Sequence, residues 1–191
     1  MMNEKKICDL YDAELGLLDE CSNDINNEEV YEQLKKCHEE RESLMEGRQL
    51  STIYENIHGI ANSVTIDLLF EEAETLENQF LDMLSIYKHA LEGCIILYQE
   101  NGEKTIECKL QIVTCIQLYR KEYGCLPPDI RQDEIIDMLE DIFTHSYAHP
   151  LYGTYIMVML CDEYIHIGKK VRALEVFQSW ASEHPLNSQS D

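Results

Sequence analysis

Residues 154–187 read TYIMVMLCDEYIHIGKKVRALEVFQSWASEHPLN. Two short apolar-striped segments flank Gly168, and Pro185 closes the unit. Gly and Pro are the strongest local breakers, so the spacing predicts a helix, a turn and a second helix. One such hairpin cannot bury its apolar stripe alone, so neighbouring helices must cover its other face. The stretch therefore sets the fold class as all-α: a helical bundle or α-solenoid of about eight antiparallel helices.

The chain upstream agrees. Asn3 is a good N-cap for a first helix that carries Ile7, Leu10, Tyr11, Leu15, Leu17, Leu18 and Cys21. The polar residues 22–27 form a turn, and Asn27 caps a charge-rich second helix that ends near Gly47 and belongs on the surface. Thr52 and Glu55 have capping-box spacing for a third helix, which reaches about Ser63. From Thr65 or Asp67 one stripe continues to Gln99, with a break expected near Ser85 or Gly93. Another helix spans Lys104 to Tyr123 and stops at Gly124. The Pro-rich residues 125–132 then mark the expected division into an N-terminal bundle, 1–124, and C-terminal helices, 125–191, which also suit one continuous domain. Asp129 and Gln132 suggest a capping box for a helix running to His149–Pro150. No stretch sustains the alternation of a strand.

The 191 residues carry 37 acids against 15 bases, a net charge of −22. Such a chain repels phosphate backbones and anionic membranes, which argues against direct nucleic-acid or membrane binding and permits a basic protein partner. There is no apolar run long enough to span a bilayer. The start, MMNEKKICDLYDAELG, has charges and no apolar h-region, so a secretory signal is not expected. Eight cysteines fall mostly at apolar helical positions without any CxxC pair. Reduced, buried thiols in a cytoplasmic protein are the expectation.

The six residues Leu160, Tyr164, Gly168, Ala173, Phe177 and Pro185 match signature positions of one tetratricopeptide repeat in register, and Thr154–Asn187 resembles that 34-residue unit. The stretch beginning at His149 is also similar to helical repeats of bacterial transcriptional activator domains. Cys161 and Trp180 depart from the pattern. A Trp at 180 either prevents close stacking of a following repeat or caps the array. The resemblance implies a non-enzymatic interaction module that takes a peptide or helix in a groove lined by first helices. It offers Tyr155, Met159, Asp162, Glu163 and His166 as groove or rim residues, and Trp180 as a contact at the open end. Glu163 and His166 are expected to face solvent. A homo-oligomer is compatible with the same reading.

Residues Ile53–Glu77 somewhat resemble the central hairpin of a histidine phosphotransfer domain: Gly59, Leu76 and Glu77 match, but Glu55 stands at the phosphoacceptor position and His58 replaces a Lys. That resemblance implies an inactive regulator of two-component signalling. An acidic decoy for a basic or nucleic-acid-binding protein is a further alternative. The Glu-x-x-His pairs Glu55/His58 and Glu163/His166 and the spaced His145/His149 have metal-ligand spacing, but solvent-facing and helix-end positions explain them without a metal. No catalytic triad order, phosphate loop or dinucleotide turn is present, and Cys125 has few basic neighbours, so neither enzyme activity nor a cofactor is expected.

Overall fold

The structure, a computed structural model, describes residues 2–23, 27–145 and 150–184. Among these residues there are nine helices and no strand: α1 (Met2–Asn23), α2 (Glu28–Met45), α3 (Leu50–His58), α4 (Ser63–Thr75), α5 (Phe80–Tyr98), α6 (Glu103–Tyr123), α7 (Gln132–His145), α8 (Pro150–His166) and α9 (Lys170–Glu183). The chain is all-α, as its periodicity implies. Two compact units form, Met1–Glu72 and Ala73–Asp191. Their division falls inside α4, whereas the Pro-rich connection between α6 and α7 lies within the second unit.

In the first unit α1 packs on α2 and α3. Ile7 and Cys8 of α1 join Ile53, Tyr54 and Leu68 in a buried cluster, with Tyr11, Leu44 and Ile57 against it. The Tyr54 hydroxyl donates to Asp12 Oδ1 at 2.6 Å, which satisfies a polar tip inside an apolar site. Glu14 lies on the same side of α1 as Ile7 and Cys21, seven residues apart, and is buried with them. Arg41 of α2 answers it, with Nε 2.7 Å from Oε1 and Nη2 3.2 Å from Oε2. Leu15 and Leu18, on the apolar face expected from the sequence, stay exposed. Asn27 caps α2 as its position implies, its Oδ1 accepting from the Val30 N–H at 3.3 Å. Only Val30 and Arg41 of that charge-rich helix are buried.

Several boundaries differ from expectation. α1 already begins at Met2, so Asn3 lies inside it and is not its N-cap. α3 starts at Leu50 and ends at His58, so Thr52 is inside the helix and makes no capping box. Asn62 caps α4 by accepting from the Val64 and Thr65 N–H groups at 3.0 and 3.2 Å, a role expected of Thr65 or Asp67. The long stripe breaks at residues 76–79 instead of Ser85 or Gly93, with Asn78 at φ +61°. Asn enters the left-handed region at small cost. The four-residue break is close to one helical turn, so Ala73, Leu76, Phe80 and Leu84 keep helical spacing straight through it.

In the second unit each helix packs on the next, α5 on α6, α6 on α7, α7 on α8 and α8 on α9. Leu84, Tyr87, Ala90 and Cys94 of α5 recur every three or four residues and are buried. So are Cys108, Ile112, Val113, Cys115 and Ile116 of α6 and Ile135, Ile136, Leu139 and Ile142 of α7. Each fully buried aliphatic side chain contributes about 1.5–3 kcal/mol relative to exposure. The cysteines are all free thiols, and only Cys125 is exposed. Asp129 sits at φ +64° in the turn before α7, where it makes no capping box with Gln132. The Gln132 side chain is engaged elsewhere, at Glu163.

Candidate functional site

α8 is apolar almost all round, and a helix of that kind needs cover on more than one side. Its inner side buries Ile156, Met159, Leu160, Glu163 and Tyr164. Its outer side leaves Tyr155, Val158 and Ile165 half exposed. α9 has the same division: Ala173, Val176 and Trp180 are buried, while Val171, Leu174 and Phe177 are exposed. Gly168 joins the helices at φ +78°, a left-handed conformation that Gly adopts without strain. Its N–H donates to the Ile165 carbonyl at 3.0 Å, and the Lys169 N–H reaches back to the Tyr164 carbonyl at 2.8 Å. This paired closure satisfies the last carbonyls of α8 and fixes the angle at which α9 returns.

The outer sides of the two helices enclose an open groove. Met157, Val158, Cys161, Asp162 and Ile165 form one wall, and Lys170, Ala173, Leu174 and Phe177 the other. Ala173 is small enough for Cys161 to come close, and the Cys161 thiol donates to the Ala173 carbonyl at 3.3 Å. Burial, then the Asp162 charge, push that thiol's pKa up, so it stays protonated as part of the floor. Of this lining, Val158, Ile165, Leu174 and Phe177 are between 48% and 54% exposed. The groove lining carries two charges of opposite sign, Asp162 on α8 and Lys170 at the start of α9.

The inner side holds a closed polar knot. Glu163 is 0% exposed. Arg120 grips it with two parallel bonds, Nη1 to Oε2 at 2.9 Å and Nη2 to Oε1 at 2.5 Å. Gln117 Nε2 adds a bond to Oε1 at 3.0 Å and Gln132 Nε2 one to Oε2 at 2.6 Å. One carboxylate thus ties α6, α7 and α8 together. Burial pushes the Glu163 carboxyl up, but the bonds from Arg120, Gln117 and Gln132 and the Arg120 charge outweigh it and hold it below the ordinary range. Glu163 therefore does not face solvent as expected from its place beside His166. It lies three residues after Leu160 and seven after Ile156, on the side of α8 that packs inward.

Trp180 is also turned inward, at 6% exposure. Its ring lies over Gly153 of α8, where a Cβ would stand 2.3 Å from the indole. Phe143 flanks it, with ring centroids 6.1 Å apart, and His184 stacks on it at 3.6 Å. The bulky residue at 180 fits because the small residue has moved to position 153 on the facing helix. At that burial it is not an exposed contact. Met159 is buried as well. Of the expected partner-facing residues, Tyr155, Asp162 and His166 are exposed, and Asp162 lines the groove.

Leu160, Tyr164 and Ala173 are buried, and Tyr164 hydrogen-bonds Glu140 of α7. Phe177, expected inside, is half exposed in the groove wall. Pro185 and His149 lie outside the described residues. The repeat resemblance did not offer Val158, Ile165, Leu174 and Phe177 as groove residues. The available signal was the all-round apolarity of α8. Elsewhere, His58 stacks on Tyr54 and Gly59 closes α3, its N–H donating to the Glu55 carbonyl at 2.7 Å. His145 pairs with Asp141 at 3.2 Å. Among the described residues no three His, Cys, Asp or Glu side chains converge on a metal position, and no helix is long and apolar enough to cross a membrane. No family model, curated protein or solved structure matches the chain.

Proposed function

We propose that this chain is a non-enzymatic interaction module that takes up a helix of a partner protein in the outer groove of the α8–α9 hairpin. One observation carries this reading: a contiguous set of half-exposed apolar side chains on a hairpin whose other side is fully packed. An amphipathic helix laid in a hydrophobic groove is a recurring recognition mode, with anchors at i, i+3 or i+4, and i+7. The tetratricopeptide-like reading of residues 154–187 supports it. The burial of Leu160, Tyr164 and Ala173 and the left-handed Gly168 at the turn are compatible with that reading.

A second copy of this chain suits the groove less well. Two chains of net charge −22 repel each other. Affinity purification from the cells that make the protein, with wild type beside Leu174→Asp, tests the reading. Leu174 is 54% exposed, so the change leaves folding nearly untouched. A partner held by wild type and lost by the variant is expected. Retention of the same partners by both proteins refutes the groove.

A further inference from the structure

We infer that Asn101 is a site of spontaneous covalent modification: its side chain closes on the Gly102 nitrogen to a succinimide, which water opens to aspartate or isoaspartate. Asn101 and Gly102 lie in the connection between α5 and α6, residues 99–102. The other three residues of that connection are held. The Gln99 carbonyl accepts from the Gly102 N–H at 3.3 Å and from Thr105 Oγ1 at 2.8 Å. The Glu100 carbonyl accepts from the buried Lys109 ammonium at 3.1 Å, and the Gly102 carbonyl from the Ile106 N–H at 3.0 Å. Asn101 is exposed and makes no hydrogen bond among the described residues, so its carboxamide is free to turn.

The packing itself requires glycine at 102. A Cβ there would stand 2.2 Å from the Tyr98 carbonyl oxygen and 2.8 Å from the Tyr98 Cβ, so a side chain does not fit against the end of α5. The same lack of a side chain leaves the Gly102 nitrogen unshielded beside the Asn101 carboxamide. That nitrogen gives up its proton and attacks Asn101 Cγ. The Cγ–Nδ2 bond breaks, and Nδ2 leaves as ammonia. Water then opens the ring at either carbonyl. Opening at Cγ gives aspartate, and opening at the main-chain carbonyl gives isoaspartate. The balance is one amide and one water giving one carboxylic acid and one ammonia, with nothing oxidised or reduced.

The two products act differently on the turn. Aspartate places a negative charge just before α6, where the helix dipole favours it. Isoaspartate adds a methylene to the main chain between Glu100, held by Lys109, and Gly102, held against Tyr98, so one of those anchors must release. Other asparagines lack this arrangement. Asn27 and Asn62 use their side-chain oxygens to cap α2 and α4, and Asn27, Asn62 and Asn78 are each followed by a residue with a side chain.

Peptide mapping by mass spectrometry of the full chain, aged at physiological temperature and neutral pH, tests this. Amide loss should concentrate at Asn101, with isoaspartate there detected by enzymatic methyl labelling, while Asn27, Asn62 and Asn78 keep their amides. Asn101→Gln should keep the wild-type circular dichroism and lose the acidic form that ageing adds on isoelectric focusing. The isoaspartate-bearing fraction should unfold at a lower urea concentration than Asn101→Asp, which carries the charge without the extra methylene. Amide loss at Asn101 no faster than at Asn27, Asn62 and Asn78, or an aged acidic form that persists in Asn101→Gln, overturns the site. Equal urea midpoints for the isoaspartate fraction and Asn101→Asp overturn its assigned effect on the α5–α6 turn.

Discussion

Replacing Glu163 by Gln should unsettle the second unit more than its conservative chemistry suggests. The carboxylate accepts four bonds, two from Arg120 and one each from Gln117 and Gln132. A Gln at 163 keeps one acceptor oxygen and turns the other position into a donor. That donor faces one Arg120 nitrogen and one glutamine amide, both of which also donate. Each buried donor left without an acceptor costs about 1–3 kcal/mol. Breaking a buried ion pair by removing one partner costs about 3–5 kcal/mol. The Arg120 side chain retains 21% exposure, so water can reach it, which places the total near the lower end, about 3 kcal/mol.

Urea denaturation followed by circular dichroism measures the loss as a fall in midpoint at constant slope. The double variant Arg120→Met with Glu163→Leu removes both charges but leaves the half-buried Gln117 and Gln132 amides without their acceptor, so it should be more stable than Glu163→Gln and still below wild type. The pH dependence has a defined sign. The folded carboxyl is held below its ordinary range, so its stabilisation is present above the unfolded value, about 4.3, and is lost as pH falls through the folded value. The gap between wild type and Glu163→Gln should be full at pH 7 and close in acid. A single variant that loses under 1 kcal/mol at pH 7, or a gap that widens on acidification, would refute the pairing.

Further outcomes follow from the packing, the helix caps and the thiols. Trp180→Ala should lose about 3–5 kcal/mol by emptying the space over Gly153, and Gly153→Ala should lose about 1–3 kcal/mol by overfilling it, both read by thermal and urea unfolding. Trp180→Ala measured at matched folded fraction should leave groove binding unchanged, since the indole faces away from it. Asn27→Ala removes a bond of 3.3 Å to the Val30 N–H and should cost about 0.5–1 kcal/mol in the same assay. In native thiol titration Cys125 should react first and Cys94, Cys108 and Cys115 only after unfolding.

The legible part of this chain was the part governed by helical period. Stripes of apolar residues placed α1, α2, α6 and α7, and Gly168 marked the final hairpin turn. Breaks that preserve the period were not legible, which is why residues 76–79 were absorbed into one long helix. Polar positions misled in a different way. Glu163 has the composition of a surface residue, and only its partner 43 positions earlier, Arg120, makes burial affordable. The same holds for Trp180, whose fit depends on Gly153 of the facing helix. Such compensations link residues distant in sequence and leave no local trace. The groove had a trace that composition carried plainly: an apolar α8 has one side more than its inner neighbours cover.

The groove on that outer side is tested most directly by NMR of the full chain with an amphipathic helical peptide carrying Leu at i, i+4 and i+7. Resonances of Val158, Ile165, Leu174 and Phe177 should shift on binding, and Leu174→Asp should abolish the changes. Shifts confined to other helices, or binding that survives Leu174→Asp, would contradict the assignment of the α8–α9 groove as the interaction site.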